Sequence, residues 1–555
     1  MKRILVEKVR EALDRARDNG GLRGQDNPAG LTVERPRQAE HGDWSTNAAM
    51  VLSKAEKRPP REIAQILIQN LQDPEGYLEK IEIAGPGFIN FTLSAGWWHT
   101  VLRDILEQGP HFGRVEVGQG RKVQVEFVSA NPTGPLHVGH GRGAAVGDSL
   151  ARVLEAAGYE VSREYYVNDA GRQMKILGRS VLYRYYELSG RQAVFEPELY
   201  QGGYIRDLAV ELKQEQGDKY LNLPEGQAVE EIFPWAAGRI LEGIRQDLED
   251  FGIRYDLWFF ERSLLERGLL EGTLADLKAR DNLYEEGGAL WFVTTRFGDD
   301  KDRVLTKANG DHTYFATDIA YHRDKFRRGL DLVVNLWGAD HHGYVARMKS
   351  AVEALGYGRD QLQILLVQLV NLLRGGAPVA MSTRAGEFVT LRQVVDEVGR
   401  DAAKFIFLTR SSDSSLDFDL EVAKTQSADN PVYYVQYVHA RICSVFKTAA
   451  EAGLAEVKAE EADLNLLAKA EELALMRHLA AFPDVVSGAA VCLEPHRLTH
   501  YLTELAKKFH PYYNQYRFVS QDAALSKARL ALAAAVRIVV ANGLTLLGVS
   551  APEKM

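Results

Sequence analysis

The amino-acid sequence predicts an α/β protein in three parts: a Rossmann-like, doubly wound parallel sheet in the middle, an N-terminal α+β domain before it, and a C-terminal all-α helical bundle after it. Between about residues 123 and 400, segments with a helical pattern alternate with short runs typical of strands, which are either apolar throughout or alternate apolar and polar residues. This β-α-β rhythm favours a parallel sheet covered by helices. The length of 555 residues fits about three or four domains of roughly 100–200 residues each.

Three domain ranges follow from these patterns. We expect an N-terminal α+β domain at residues 1–110, a Rossmann-like domain at 111–410 and a helical domain at 411–555. Residues 190–285 interrupt the rhythm with mostly helical patterns, so we interpret them as an insertion. The elements predicted in the middle part are strands at 123–128, 161–167, 332–337 and 362–372, a helix that ends near Gly158, and a helix at 170–188.

The two ends of the chain have their own patterns. Residues 81–93 alternate around Gly85-Pro86-Gly87, which predicts two strands joined by a turn. Pro59 and Pro60 predict the start of a helix. Residues 525–547 carry apolar residues at helical spacing, which predicts a long helix in a bundle.

Composition narrows the class of protein. Hydrophobic residues make up 46% of the chain and charged residues 26%, as in ordinary globular proteins. The 67 basic and 76 acidic residues give a net charge of −9, which argues against a wholly basic protein that coats nucleic acid but allows a local RNA-binding face.

The sequence also bears on location. The N-terminus lacks the apolar centre of a secretory signal, and the most apolar stretch, residues 530–549, is interrupted by Arg537 and Asn542. We therefore expect a cytoplasmic protein without a membrane span.

The most informative segment, EFVSANPTGPLHVGHGRG at residues 126–143, lies where the first parallel strand should lead into a helix. A helix start offers unpaired N–H groups and a positive dipole end to phosphate. His137 and His140 stand three residues apart, so they share one helical face and can donate hydrogen bonds to phosphate oxygens as charge develops. Gly139 leaves room for adenine to approach the backbone. A histidine pair is also typical of a structural or solvated face, but the Asn-Pro loop and the glycine-rich helix favour a nucleotide site.

This segment resembles the HIGH signature of class I aminoacyl-tRNA synthetases. The resemblance implies that His137 and His140 are catalytic and that ATP binds along the whole loop and helix start. The residues concerned are Ala130, Asn131, Pro132, Thr133, Gly134, Pro135, Leu136, His137, Val138, Gly139 and His140.

A second segment, GGAPVAMSTRAGEFVTL at residues 375–391, resembles the KMSKS loop of the same class. Ala380 and Thr383 replace its two lysines, and the resemblance implies that Met381 and Ser382 contact ATP. Arg384 is the best substitute for the lysine that stabilises pyrophosphate, because a guanidinium offers paired donors to phosphate oxygens. Two further cations are alternatives, namely Lys307 and Arg303. A glycine- and proline-rich surface loop is the other interpretation of the segment.

Three more segments resemble arginyl-tRNA synthetases: VNDAGRQM at 167–174, TYFATDIAYH at 313–322 and WGADHHGY at 337–344. Arginine is a long cation with a planar fork, so its pocket needs carboxylates and acceptors in fixed geometry. The resemblance implies the following contacts: Glu126 and Asn131 with the α-amino and carboxyl ends of arginine, Asp318 and Tyr314 with its guanidinium, His342 with the substrate, and Gly338 and Asp340 with ATP, Asp340 at the ribose.

The residue types alone leave these assignments open. Asp318 could instead cap its helix or stabilise the helix dipole. Glu126 could form a salt bridge at the sheet edge, and Tyr314 is simply a plausible strand residue.

No protein-bound metal is predicted. Cys443 and Cys492 lack metal-ligand spacing, and His341-His342 lack a third ligand at suitable spacing. The same two cysteines argue against the related cysteinyl enzymes, whose zinc site has cysteine ligands. Mg²⁺ is implied only as the companion of ATP, where it would stabilise phosphate charge together with the histidines and Arg384.

The resemblance implies a two-step reaction: L-arginine and ATP form arginyl-adenylate, and the arginyl group passes to the 3′ end of tRNA(Arg). Residues 433–442 resemble the start of the family's anticodon-binding domain, and residues 41–50 resemble the extra domain that contacts the outer corner of tRNA. The cations and tyrosines between Lys507 and Arg517 are suited to binding unstacked bases. They are equally typical of a solvated helix whose tyrosines line the edge of a core.

A monomer is expected. Two alternatives stay open: another HxGH adenylate-forming nucleotidyltransferase, and a non-catalytic tRNA-binding paralogue.

Overall fold

The N-terminal part of the computed structural model combines helices with one antiparallel sheet. The structure describes residues 1–23, 30–36, 38–379, 388–454 and 461–555. The first elements are α1 (Lys2–Asp18), β1 (Val33–Glu34), β2 (Trp44–Thr46), α2 (Ala48–Glu56), α3 (Pro60–Asn70), β3 (Leu78–Ala84), β4 (Phe88–Leu93) and α4 (Ala95–Gln108). The strands pair in the order β1-β2-β4-β3. The predicted pair of strands around Gly85-Pro86-Gly87 is confirmed, and so is the helix that begins at Pro60.

The middle part alternates strands and helices as predicted. Its elements are β5 (Lys122–Glu126), α5 (Val138–Ala156), β6 (Glu160–Val167), α6 (Arg172–Leu188), α7 (Gly203–Gln216), α8 (Glu225–Asp250), β7 (Leu257–Phe260), α9 (Arg262–Glu266), α10 (Leu269–Ala279), β8 (Leu283–Glu286), β9 (Ala289–Phe292), β10 (Arg303–Thr306), α11 (Tyr314–Arg327), β11 (Leu332–Gly338), α12 (Val345–Ala354), β12 (Leu362–Val367), β13 (Val370–Arg374), β14 (Ala377–Pro378), α13 (Leu391–Val398), α14 (Arg400–Phe407), β15 (Leu416–Asp419) and α15 (Leu420–Lys424).

The last part is helical. It consists of α16 (Pro431–Glu451), α17 (Ala470–Leu479), α18 (Phe482–Cys492), α19 (His496–Gln515) and α20 (Ala523–Leu546).

The main sheet confirms the predicted fold class. Five strands pair in the order β12-β11-β5-β6-β7, and every pairing is parallel. Strand β5 is central, with β11 on one side and β6 on the other. The order reverses there, which makes the carboxyl end of β5 the place where open α/β sheets bind ligands.

Three local predictions need correction. The single strand expected at 362–372 is two strands: β12 belongs to the main sheet and β13 to a small sheet of order β14-β13-β15. The region expected to be an insertion contains β7, which is an edge strand of the main sheet. The region expected to be wholly helical begins with β15, which pairs in parallel with β13. In each case a short strand owes its pairing to distant partners, which local pattern does not reveal.

Contacts divide the chain into two compact units. One comprises residues 1–112, 442–481 and 507–539, and the other 113–441, 482–506 and 540–555. In the first unit, the carboxylate of Glu472 is fully buried and accepts hydrogen bonds from the Tyr512 hydroxyl (3.0 Å) and Arg529 Nε (3.1 Å). Tyr512 and His510 are buried, so within the aromatic and basic segment these two belong to a core, and the exposed cations there are Lys507, Lys508 and Arg517.

Helix α20 is long and apolar enough to cross a membrane by length and composition, in spite of Arg537 and Asn542. Most of its apolar stretch is buried within the protein, as in the core helix of a soluble protein, which passes the same test.

Candidate active site

The two signature histidines form a reciprocal cap at the start of α5. His137 precedes the helix as its N-cap, and its Nδ1 accepts a hydrogen bond from the Gly139 amide at 3.1 Å. His140 Nδ1 in turn accepts one from the His137 amide at 3.3 Å. The rings stack with centroids 3.7 Å apart. The expectation that both histidines project from a helical face therefore needs refinement, because one caps the helix and the other lies in its first turn.

This cap fixes how each imidazole can act. A neutral imidazole whose Nδ1 accepts a hydrogen bond carries its proton on Nε2. Burial lowers the pKa of His137, and burial followed by the proximity of His137 lowers the pKa of His140 to about 3. Both rings are therefore neutral donors through Nε2–H at the positive end of a helix, which suits an anionic phosphate.

The loop between β5 and α5 has an unusual backbone. Val128 and Ser129 have φ angles of 69° and 40°, a region that branched side chains seldom adopt. Strand β6 holds the turn: the Tyr166 amide donates to Ser129 Oγ (3.1 Å) and the Tyr165 hydroxyl donates to the Ala130 carbonyl (2.9 Å). Strain that surrounding contacts hold in place is common at functional sites.

The region expected to be an insertion supports the next part of the same loop. The Tyr204 hydroxyl on α7 donates to the Thr133 carbonyl at 2.8 Å. A Cβ added at Gly134 would lie 2.9 Å from that hydroxyl. Asn131 Nδ2 donates to Gln173 Oε1 at 2.6 Å. The loop predicted to bind ATP is thus held by α6 and α7 as well as by the sheet.

Helix α5 can pass close to Phe127, the residue that follows β5, because Gly147 has no side chain. A Cβ added at Gly147 would fall 2.2 Å from Phe127 Cγ, whereas one added at Gly143 would meet nothing within 4 Å. At Gly139 the nearest neighbour of an added Cβ is the His137 ring, at 3.0 Å. The absence of a side chain at Gly139 therefore serves the histidine cap in addition to any approach of adenine.

The KMSKS-like loop falls largely outside the described residues. Met381, Ser382 and Arg384 lie within residues 380–387, of which the structure describes nothing. The end of the segment is described and lies beside the signature. The Val138 amide donates to the Val389 carbonyl (3.1 Å) and the Leu391 amide to the Leu136 carbonyl (2.8 Å).

The two alternative phosphate cations differ in their surroundings. Arg303 pairs with Asp299 through Nε at 2.8 Å and through a second hydrogen bond at 3.1 Å. Lys307 is exposed on the turn that follows β10.

On one face of the main sheet, a buried polar row crosses three strands. Asn335 on β11 is in register with Glu126, the last residue of β5, which is in register with Glu164 on β6. Their exposures are 0%, 6% and 1%. Buried polar groups need partners, and helix α11 and its C-cap residue Arg328 provide them. Lys325 contacts Glu126 and Asn335, and Tyr321 and Arg328 contact Glu164.

Helix α11 also carries the two residues expected at the guanidinium. Tyr314 is its first residue and is 63% exposed, and Asp318 lies one turn later on the same face. The strand interpretation of Tyr314 is therefore wrong. The capping interpretation of Asp318 is wrong as well, because Thr313 is the N-cap.

Asp318 sits in an excess of negative charge. Its carboxylate accepts a hydrogen bond from the Tyr344 hydroxyl at 2.6 Å. Burial, and after it the charges of Glu261 and Glu126, raise the pKa of Asp318 to about 7, although Tyr344 and Lys325 act in the opposite direction. A bound guanidinium would relieve this repulsion and supply donors.

Two residues of this cluster were not assigned from the sequence. Glu261 follows β7, is 9% exposed, and has a pKa raised by burial in spite of a hydrogen bond with Tyr166. Its position after a strand of the main sheet was hidden because β7 was not predicted. Tyr344 belongs to the segment WGADHHGY, and within that segment its hydroxyl, rather than His342, reaches Asp318.

Two residues expected at ATP, Gly338 and Asp340, and one expected at the arginine substrate, His342, lie at the carboxyl end of β11. Gly338 ends the strand, and Asp340 and His342 follow in a 3-10 turn, all three exposed. Asp340 Oδ2 lies 3.7 Å from His341 Nε2. Asn131 and Glu126 lie at the carboxyl end of the neighbouring strand, β5, so both sets share one edge of the sheet.

A protein-held metal ion needs several donor side chains close together. Within the ranges that the structure describes, no cluster of three or more His, Cys, Asp or Glu side chains could hold a metal ion.

Three known domain families together match nearly the whole chain. The chain matches the models of the arginyl tRNA synthetase N terminal domain over residues 3–93, of the class I (R) tRNA synthetase catalytic domain over 101–443, and of the DALR anticodon binding domain over 435–555.

Among curated relatives, the arginine–tRNA ligase of Syntrophotalea carbinolica is 54% identical over 100% of both chains, and that of Citrifermentans bemidjiense is 52% identical over 100% of both. The Thermus thermophilus arginyl-tRNA synthetase structure is 25% identical and superposes with a TM-score of 0.75 over 100% of both chains. With this identity over its full length, the chain belongs to the arginyl-tRNA synthetases, the arginine–tRNA ligases of class I.

Proposed function

We propose that this enzyme activates L-arginine with ATP to give arginyl-adenylate and pyrophosphate, and then transfers the arginyl group to the 3′ end of tRNA(Arg). One observation carries the proposal. Strand β5 ends at Glu126, beside the acidic cluster of Asp318, and the loop that leaves it leads directly to the histidine cap of α5. A cation-binding cluster and a phosphate-binding helix start therefore adjoin the same strand end.

At the arginine end, Asp318 binds the guanidinium with Tyr314 alongside it, and Glu126 and Asn131 hold the α-amino and carboxyl groups. His342, on the exposed turn after β11, contacts the same substrate. A carboxylate and a guanidinium form paired, charge-assisted hydrogen bonds, which distinguish arginine from lysine by geometry.

At the nucleotide end, residues 130–140 bind ATP together with Gly338 and Ser382, with Asp340 near the ribose and the backbone around Met381 near the adenine. His137 and His140 donate through Nε2–H to phosphate oxygens as charge develops in the transition state. Arg384 assists departure of pyrophosphate, with Lys307 as the alternative cation.

No residue need become a covalent nucleophile in this reaction. The arginine carboxylate attacks the α-phosphorus, and the terminal ribose hydroxyl of tRNA then attacks the adenylate carbonyl. The enzyme contributes alignment, which can lower a barrier by about 7–11 kcal/mol. Mg²⁺, when bound with ATP, supplies further stabilisation of phosphate charge.

The remaining expectations concern context. The helical domain at 411–555 binds the anticodon region, and the domain at 1–110 contacts the outer corner of tRNA. The enzyme acts as a monomer in the cytoplasm, without a membrane partner.

Charging of bulk tRNA with each labelled amino acid in turn tests the proposal. Arginine should be attached in an ATP-dependent reaction, and lysine, cysteine and methionine should not be attached above background. The exchange of pyrophosphate into ATP, measured with and without tRNA, would show whether adenylate formation needs tRNA. Attachment of another amino acid, or none, would contradict the proposal.

A further inference from the structure

A continuous chain of buried hydrogen bonds links the two ends of the proposed arginine site. Lys325 Nζ donates to Glu126 Oε2 (2.5 Å) and to Asn335 Oδ1 (2.9 Å). Asn335 Nδ2 lies 2.7 Å from His322 Nε2, and His322 Nδ1 lies 2.7 Å from the carbonyl oxygen of Asp318.

The direction of every bond in this chain is determined. Lysine can only donate, so the Asn335 oxygen faces Lys325 and its NH₂ group faces His322. His322 Nε2 must then accept, which places the ring proton on Nδ1, where it can donate to the Asp318 carbonyl. Burial is the main cause that lowers the pKa of His322 to about 3, in agreement with a neutral ring.

All members of the chain are withdrawn from solvent. Lys325 and Asn335 are 0% exposed, His322 3% and Glu126 6%. A lysine ammonium is seldom fully buried unless its partners offset the loss of hydration. The chain therefore fixes the Glu126 carboxylate on β5 to the same turn of α11 that carries Asp318.

We propose that Lys325, Asn335 and His322 are positioning residues for arginine recognition, which set Glu126 for the α-amino group and tie it to the helix turn that presents Asp318 to the guanidinium. This inference rests on the proposed function of Glu126 and Asp318. None of the three touches substrate, because each is enclosed between α11 and the sheet. Their loss should weaken arginine binding through its α-amino end, since Lys325 acts on Glu126 directly.

The variant Lys325→Met tests this in the full-length enzyme. The KM for arginine should rise by about 30-fold or more, the range for removing one partner of a buried charge pair. The KM for ATP should stay within about twofold, and inhibition by 5-guanidinopentanoate, which is arginine without its α-amino group, should change less than about threefold, because only the α-amino contact depends on Glu126. Lys325→Arg, which retains a cation, should recover at least part of the lost arginine affinity.

A matched control is Lys404→Met. Lys404 is 1% exposed and its Nζ lies 3.0 Å from Asp148 Oδ2, so it is another buried lysine paired with a carboxylate in the same unit. It should lower stability without a selective change in the arginine KM. Equal losses for arginine and for 5-guanidinopentanoate in Lys325→Met, or the same pattern in Lys404→Met, would overturn the proposal.

Asn335→Leu provides a second variant if Lys325→Met fails to fold. It breaks the chain in its middle and should give the same selective pattern at a smaller size, while an unchanged arginine KM would overturn the proposal. If the wild-type enzyme does not charge tRNA with arginine at all, the proposed function fails. If the wild type charges normally and only these variants behave unexpectedly, the positioning role fails alone.

Discussion

The two halves of the proposed site, the start of α5 and the cluster beneath α11, are built in opposite ways. The α5 half comes from one continuous segment, in which His137, Gly139 and His140 form their cap with each other. The α11 half is assembled from residues that lie far apart along the chain, such as Glu126, Glu261 and Tyr344 around Asp318. The first half consists of neutral donors and the second of excess carboxylate. The proposed phosphate-binding half can thus be predicted from a local sequence motif, whereas the proposed arginine-binding half depends on the tertiary fold.

If the two halves differ in this way, the largest effect of a substitution on arginine binding should occur at Asp318. Asp318→Asn removes the charge proposed to face the guanidinium and should weaken arginine binding by about 2–5 kcal/mol, the range for truncating one partner of a buried charge pair. The measurement is the arginine KM in pyrophosphate exchange, with the ATP KM as the internal control. An unchanged arginine KM would show that the acidic cluster does not bind substrate.

At the α5 half, the effect should fall on rate instead of arginine affinity. His140→Ala should lower the exchange rate by about 10²–10³, as expected for loss of one donor to developing charge, and leave the arginine KM within about threefold. His137→Asn is a useful companion because asparagine can still cap the helix but lacks the imidazole. If His140→Ala lost only thermal stability, the cap would be purely structural.

The KMSKS-like segment should show a smaller, rate-specific effect. Arg384→Ala should slow adenylate formation by about tenfold or more in a single-turnover burst, since a charge-assisted contact contributes about 1.5–3 kcal/mol. Lys307→Ala is the matched comparison. A normal burst for Arg384→Ala together with a slow burst for Lys307→Ala would move the role to the turn after β10.

The smallest effect concerns support of the ATP loop by α7. Tyr204→Phe removes the hydrogen bond to the Thr133 carbonyl, worth about 1 kcal/mol, and should raise the ATP KM about fivefold. Tyr220→Phe, at another buried tyrosine of the same helical region, is the control. Equal ATP KM values for both variants would separate α7 from nucleotide binding.

The sequence predicted the fold best where structure depends on interactions between residues close together in the chain. The parallel sheet, the strand before the signature and the helix after it were predictable from alternation, glycine and helical spacing. Strands β7 and β15 were missed because four residues carry little pattern and depend on distant partners. Tyr314 was misplaced in a strand, although its position four residues before Asp318 is compatible with a helical face.

The residues at the arginine end of the proposed site could be predicted only in part from the sequence. Glu126 and Asp318 were named from family resemblance, and residues alone did not distinguish them from a salt bridge or a cap. The register of β11, β5 and β6 explains why: the polar row of Asn335, Glu126 and Glu164 exists only once the strands are paired. Lys325 and His322 gave no signal because a lysine and a histidine on a helix are usually solvated.

The most direct test of the account is proton release when arginine binds. Asp318, with a pKa raised to about 7, is mostly protonated at pH 6 and mostly ionised at pH 8, and a bound guanidinium favours the ionised form. Titration calorimetry in buffers of different ionisation enthalpy should therefore show net proton release on arginine binding at pH 6 and clearly less release at pH 8, with tighter binding at the higher pH. Asp318→Asn should abolish this release. No release at pH 6 in the wild type, or the same release in the variant, would contradict the claim that Asp318 meets the guanidinium.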